Sequence, residues 1–318
     1  MIKVRKSENE ADFDEGASRR ILRLGLGVLW LVDAALQMQP AMFSPTLAEV
    51  WLPVAQGQPH WLAAMIIWSI GIASRHLTAF NWLIIVVQFA IGTLLLSGRT
   101  AFVRAGLWAS VLFGVLVWLF GEGLAQMLAG GATILAGAPG STSVYAVASV
   151  LLLLPAGSWP ARGWRRASAP AMAAGLILVL CGALQLQSTF WTGLGLAAPF
   201  GQAFMMPQPV ALRDAVNAAS GIADAAPVLI NALLVTALLG SGVLLCCGGA
   251  EGRPALIWVA LTLVGAIWVF GQDAGMLFSG IATDPNSAAP LALLLLAGVR
   301  GCRARRGDVS HSHVRLIA

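Results

Sequence analysis

Residues 118–133 read WLFGEGLAQMLAGGAT and residues 268–283 read WVFGQDAGMLFSGIAT. Trp118, Phe120, Gly121, Gly130, Ala132 and Thr133 recur as Trp268, Phe270, Gly271, Gly280, Ala282 and Thr283, each 150 residues on. Chance does not hold so many identities in one register. The same spacing pairs Asn81 with Asn231, Gly92 with Gly242, and Gln58-Pro59 with Gln208-Pro209. Nearer the start it falls to 148, where Ala35, Leu36, Gln37 and Gln39 match Ala183, Leu184, Gln185 and Gln187. A fixed internal period over most of the chain is the signature of a duplicated unit.

Working outward, the medium of that unit follows from composition. A soluble domain carries roughly a quarter of its residues charged; here 10% are charged and 58% hydrophobic, with a mean hydropathy of +0.81. Apolar runs of Leu, Ala, Val and Gly are continuous and do not alternate in two, so they read as helices and not as barrel strands. In lipid an isolated helix is the one open-ended way to satisfy the backbone. Runs near 20 residues are long enough to cross about 30 Å of hydrocarbon.

The expected architecture is all-α and polytopic: eight transmembrane helices as two parallel four-helix repeats, with outer-face interfacial helices. The spans fall at about 21–42, 78–98, 102–122 and 143–157, then about 170–190, 226–247, 255–272 and 288–300. The domain plan is a tail at 1–20, repeat 1 at 21–160, a basic linker at 161–169, repeat 2 at 170–301 and a basic tail at 302–318. Residues 60–74 are apolar enough to be taken for another span. Their counterpart at 210–222 carries Arg213, Asp214 and Asn217, so both segments are expected on the outer interface. An even number of spans per copy makes the copies parallel, against the inverted-repeat transporter pattern.

Charge sets the orientation. Every Lys and Arg except Arg75 and Arg213 falls in the tails, the linker or the loops on one side of the expected spans. Positive residues are retained in the cytoplasm, which places both termini there, in a multi-pass protein of the cell membrane. The net charge of +5 thus belongs to the bilayer surface and not to nucleic acid. Lys3, Arg5 and Lys6 are followed by an acidic stretch with no short apolar core, so the start reads as a solvated tail and not a signal peptide.

Ionisable groups inside spans cost about 2.5–3.5 kcal/mol on insertion scales, so each asks for a partner or a purpose. Asp33 lies about three turns from the cytoplasmic end of the first span, with Gln37 one turn further on the same face. It reads as a packing hydrogen bond, or as a proton- or headgroup-binding carboxylate. Its counterpart is Cys181, so its function belongs to one half. The second cluster is in the opening strings. There Glu122 and Gln126 are one turn apart if the helix continues, Glu122 aligns with Gln272, and Asp273 follows. These groups either cap the third and seventh spans or form a ligand or proton site. The ligand- or proton-binding candidates are therefore Asp33, Gln37, Glu122, Gln126, Gln185, Gln272 and Asp273.

Other chemistries lack their residues. His60 and His76 fall in the outer loop and His311 and His313 in the tail, so no span supplies an axial imidazole, and haem is not expected. A metal is not expected either: the methionines read as core filling, and the four cysteines form no CxxC pair. No phosphate loop or nucleophile elbow occurs.

Two strings resemble a known family. RLGLGVLWLVDAALQMQPAMF at 23–43, followed after an outer loop by QFAIGTLLLSGRTAFVRAGLWAS at 88–110, resembles the DoxX and DoxD-like four-helix membrane proteins. The common elements are an Arg-led first helix with a short polar end, a second helix ending Gly-x-x-Leu-Leu, a basic turn and a third span. The resemblance implies membrane redox metabolism, a quinone as cofactor and a redox partner subunit, with Asp33, Glu122 or Asp273 near the headgroup. The chain departs from the thiol chemistry of that family in lacking an outward cysteine pair, and from its single-unit members in being doubled. Proton or small-solute transport, and a non-catalytic membrane assembly role, are the competing classes.

Overall fold

The computed structural model describes residues 16–155, 159, 168–201, 206–247 and 254–299. The terminal tails and the 161–169 linker lie almost wholly outside these residues. Among the described residues the regular structure is all helix, with no strand.

The first half contains α1 (Ala17–Leu36), the short α2 (Thr46–Trp51), α3 (His60–Arg75), α4 (Leu77–Leu96), α5 (Thr100–Leu116) and α6 (Ser141–Leu153). The second contains α7 (Ala169–Leu184), the short α8 (Gly193–Ala197), α9 (Val210–Ala225), α10 (Pro227–Cys246), α11 (Pro254–Ala266) and α12 (Ala288–Val299). Pro40, Pro227 and Pro254 sit where helices have ended or begin, the positions where a missing N–H is harmless.

Among the described residues three helices are long and apolar enough to cross a membrane: Leu77–Leu96, Thr100–Gly121 and Pro227–Cys246. Shorter apolar helices lie at Ser141–Leu153, Ala169–Leu184, Ala255–Gly271 and Ala288–Val299. The 20-residue α1 is as long as a span but carries Arg19, Arg20, Arg23 and Asp33. The three span-length helices turn large apolar side chains outward: Leu83, Val86 and Phe89 on α4, Trp108 and Leu112 on α5, Leu229 and Leu233 on α10. Helices apolar all round are those of a lipid environment or a deep core, and these faces are not covered by protein.

What joins the helices is close backbone approach. A Cβ placed on Gly27 would lie 3.2 Å from the Gly92 carbonyl, and one on Gly92 2.9 Å from the Gly27 carbonyl. Gly175 and Gly242 make the same reciprocal approach, at 2.8 and 2.7 Å. α1 therefore packs against α4, and α7 against α10, through glycine. One continuous core runs through both halves, from Leu22, Trp30 and Tyr145 to Leu178, Leu238 and Leu294.

Arginines secure the opposite ends of the first-half helices. Arg19 donates to the Leu152 and Leu154 carbonyls at the end of α6, and Arg23 to Leu95 at the end of α4. The last carbonyls of a helix lack partners within it, and a cation there also meets the negative end of the dipole. This accounts for Arg19 and Arg23 being buried.

The segment after α5 departs from a simple span. A π-helical turn at Val117–Gly121 runs into Gly123, Leu124, Ala125 and Gln126, all at φ between 51 and 61°. After α11 the same succession occurs: a π-helical turn at Ile267–Gly271, then Asp273, Ala274, Gly275 and Met276 at φ between 49 and 69°. Left-handed backbone costs about 1–2 kcal/mol per non-glycine residue, so each turn holds strain that the surrounding packing sustains. The helix does not continue past Glu122. Gln126 is consequently not its neighbour one turn on, and its amide nitrogen donates instead to the Val54 carbonyl at 2.9 Å.

Candidate functional site

α1, α5 and α6 converge on a buried polar line. Trp30 Nε1 donates to Ser110 Oγ at 2.8 Å, and Ser149 Oγ donates to the same oxygen at 2.8 Å. Tyr145 stands edge-on to Trp30, ring centroids 4.9 Å apart. Its hydroxyl donates to Asp33 Oδ1 at 3.2 Å. Asp33 and Tyr145 are both buried, at 1% and 0% exposure.

One helical turn before Tyr145, the start of α6 holds Glu122. Its Oε1 accepts from Ser141 Oγ at 2.8 Å, Thr142 N at 3.1 Å and Thr142 Oγ1 at 3.0 Å. A carboxylate at a helix N-terminus satisfies orphan N–H groups and meets the positive end of the dipole. Gln272 does the same for α12: its Oε1 accepts from Ala288 N at 3.1 Å, while its Nε2 donates to Ser287 Oγ at 3.0 Å and to the Ile134 carbonyl at 2.7 Å. These residues cap the helix that follows, not the one they end. The sequence cannot show this, because the left-handed turn that aims them is a backbone event.

Asp284, from the loop before α12, completes the site. It lies within charge–charge reach of both Asp33 and Glu122. Its Oδ1 accepts from Asn286 N at 2.8 Å and its Oδ2 from Thr283 Oγ1 at 3.1 Å. Three carboxyls thus lie within charge–charge reach of Tyr145, contributed by α1, the end of the α5 segment and the loop before α12. Among the described residues none of the three is ion-paired. Glu122, just beyond the end of its span, is pushed up from 4.5 to about 7, first by burial and next by Asp284. Its Oε2 has no hydrogen-bond partner.

The other sequence candidates divide. Gln37 is buried in the first half beside Asn81, whose Nδ2 donates to the Gln37 carbonyl at 2.9 Å. Gln185 is locked into structure: its Oε1 accepts from Thr133 Oγ1 at 2.6 Å and its Nε2 donates to Asn231 Oδ1 at 2.9 Å. Gln272 and Asp273 are apart from the carboxyl cluster and line a cavity of about 20 Å³ with Leu135, Phe200, Met276 and Asn286. That volume suits one water and not a ring-sized ligand. Burial holds the Asp273 carboxyl above its ordinary range, against a lowering hydrogen bond from Gln208.

Sequence reading missed Tyr145 and Asp284. Tyr145 is the chain's single tyrosine, placed in an apolar helix where a hydroxyl needs a partner; that was the available signal. Asp284 reads as an ordinary turn residue, and its turn bonds are present. Only the approach of the two halves brings it to Asp33.

The halves also clasp each other through glutamines. Gln187 Nε2 donates to the Ala132 carbonyl at 3.0 Å, and Gln39 Nε2 donates to the Ala282 carbonyl at 3.2 Å. The site therefore sits where the loop of one half meets the first helix of the other. No group of three or more His, Cys, Asp or Glu suited to a metal ion occurs among the described residues. No protein-family profile, curated protein or solved structure matches the chain.

Proposed function

We propose that the chain is a multi-pass membrane protein, built as two parallel four-helix units with both termini in the cytoplasm, that binds and relays protons through Asp33, Tyr145 and Glu122, with the Asp284 carboxyl beside them. The single observation carrying this is three carboxyls within charge–charge reach of one buried tyrosine, without an ion pair among the described residues. Like charges that close in a poorly solvated site favour keeping a proton among them. The hydroxyl of Tyr145 donates to Asp33 and stands one turn from the Glu122 cap, so it is placed to pass a proton between acids.

The duplicated architecture is supported by the 150-residue identities and by the matching π and left-handed turns. Orientation rests on the one-sided distribution of Lys and Arg. The asymmetry is chemical: Asp33 and Glu122 stand where the second half has Cys181 and Gln272, which confines proton binding to a first-half site completed by Asp284.

A second reading is carried by the strings at 23–43 and 88–110. A DoxX-like redox subunit working with a quinone and a partner protein needs acids that deliver protons with electrons, and the same cluster supplies them. Infrared difference spectra of the purified protein between about pH 5 and about pH 9 test the proton site. A protonated-carboxyl carbonyl band is expected to change, in part lost in Asp33→Asn and in part in Glu122→Gln. Identical spectra for wild type and both variants would sink the proposal. Quinone retained through purification would add the redox reading.

A further inference from the structure

The two halves differ in a buried hydrogen-bond network. Around Gln185, at the end of α7, it is closed: Thr133 Oγ1, reaching across from the first half, donates to Gln185 Oε1, Gln185 Nε2 to Asn231 Oδ1, and Asn231 Nδ2 to the Gln185 carbonyl. The counterparts at the end of α1 are Gln37 and Asn81, with Thr283 from the second half in the place of Thr133. Of these bonds only the last is kept, Asn81 Nδ2 to the Gln37 carbonyl. Thr283 turns to Asp284, and Gln37 Oε1 and Asn81 Oδ1 are left without a donor. Both residues are deeply buried, at 7% and 0% exposure. An unsatisfied buried acceptor costs about 1–3 kcal/mol, and two occur here where Gln185 and Asn231 leave none.

Every further feature of this place favours positive charge. Asp33 lies one turn before Gln37, where the second half has Cys181. Asp284 is within charge–charge reach. The C-terminal end of α1, carrying the negative end of its dipole, stops at Leu36. Gln39, anchored to the Ala282 carbonyl through Nε2, leaves its own Oε1 without a donor. The donors on offer are hard amide and carboxylate oxygens, which suit alkali and alkaline-earth ions and not soft metals. Among the described residues no three His, Cys, Asp or Glu side chains come together as a metal cage.

We infer that the end of α1 in the first half is a binding site for a small monovalent cation, held by Asp33, Gln37 and Asn81 with Asp284 beside it, and that sodium is its ion. The inference deepens the proton-binding reading and rests on it in one respect, that Asp33 is the acid shared by proton and cation. The two then compete for one carboxylate.

The experiment uses the full chain in nanodiscs of zwitterionic lipid. Thermal unfolding is followed as NaCl replaces choline chloride at constant ionic strength, alongside binding of radioactive sodium. A ligand that binds only the folded state raises the midpoint with its concentration. A saturable sodium-specific rise is expected in wild type and in Cys181→Ser, and its loss in Asp33→Asn and Gln37→Leu. Bound sodium should approach one per chain and fall as pH is lowered. No sodium-specific response in wild type overturns the inference, as does a response that persists in both first-half variants. Should those variants not fold, wild-type sodium stoichiometry decides alone. If the infrared carboxyl band is present while sodium has no effect, the cation site falls and the proton site stands; if both are absent, both fall.

Discussion

Glu122→Gln isolates one charge while leaving its geometry in place. The glutamine oxygen can still accept from Ser141 Oγ, Thr142 N and Thr142 Oγ1, which Glu122 Oε1 holds at 2.8–3.1 Å. Gln272 already performs this capping for α12. What the substitution removes is a carboxyl held at about 7 against an ordinary 4.5, by burial and then by Asp284. The folded-state value is raised, so the stabilising contribution is fully present below about pH 4.5 and is lost as pH rises through about 7. At roughly 1.4 kcal/mol for each tenfold change in proton affinity, the wild type should lose on the order of 3 kcal/mol across that window relative to Glu122→Gln. The assay is unfolding in detergent as a function of pH, with the variant subtracted from wild type so that groups remote from Glu122 cancel. The difference should grow between about pH 5 and about pH 8, with the variant the more stable at the alkaline end. Parallel curves would refute the burial argument for Glu122.

Two further substitutions test the packing that positions the site. Gly140→Ala would drive a Cβ into Glu122 Oε2 at a backbone φ of +99°. It is expected to cost roughly 2–4 kcal/mol through strain and loss of the α6 cap, seen as a lowered unfolding midpoint. Gly92→Leu would drive a side chain into the Gly27 carbonyl, 2.9 Å from the added Cβ. Separation of α1 from α4 is expected, with loss of the folded monodisperse species on size exclusion; Gly98→Ala, at a turn with nothing within 4 Å of its Cβ but a φ of +72°, should cost about 1 kcal/mol.

Much of the helical layout was legible because apolar runs and their punctuation are local properties. α4, α5 and α10 lie within a few residues of the spans expected at 78–98, 102–122 and 226–247, because uninterrupted Leu, Val, Ile and Ala leave a chain in lipid no other way to satisfy its backbone. α3 and α9 are helical over the two segments expected as interfacial helices. The need for a partner at Asp33 was also legible, since a lone acid in an apolar helix costs too much to stand without one.

The identity of that partner was not. Tyr145 is 112 residues from Asp33, and Asp284 lies in the other half, so no spacing rule relates them. Glu122 and Gln126 look like neighbours on a helix, yet the left-handed turn at 123–126 sends one to the start of α6 and the other to Val54. The sequence by itself determined which helices are apolar enough to cross a membrane and which polar groups were expensive to place in them. The tertiary structure decided which of them meet, because that depends on glycine-mediated helix approach and on a strained turn whose cost only the surrounding packing can sustain.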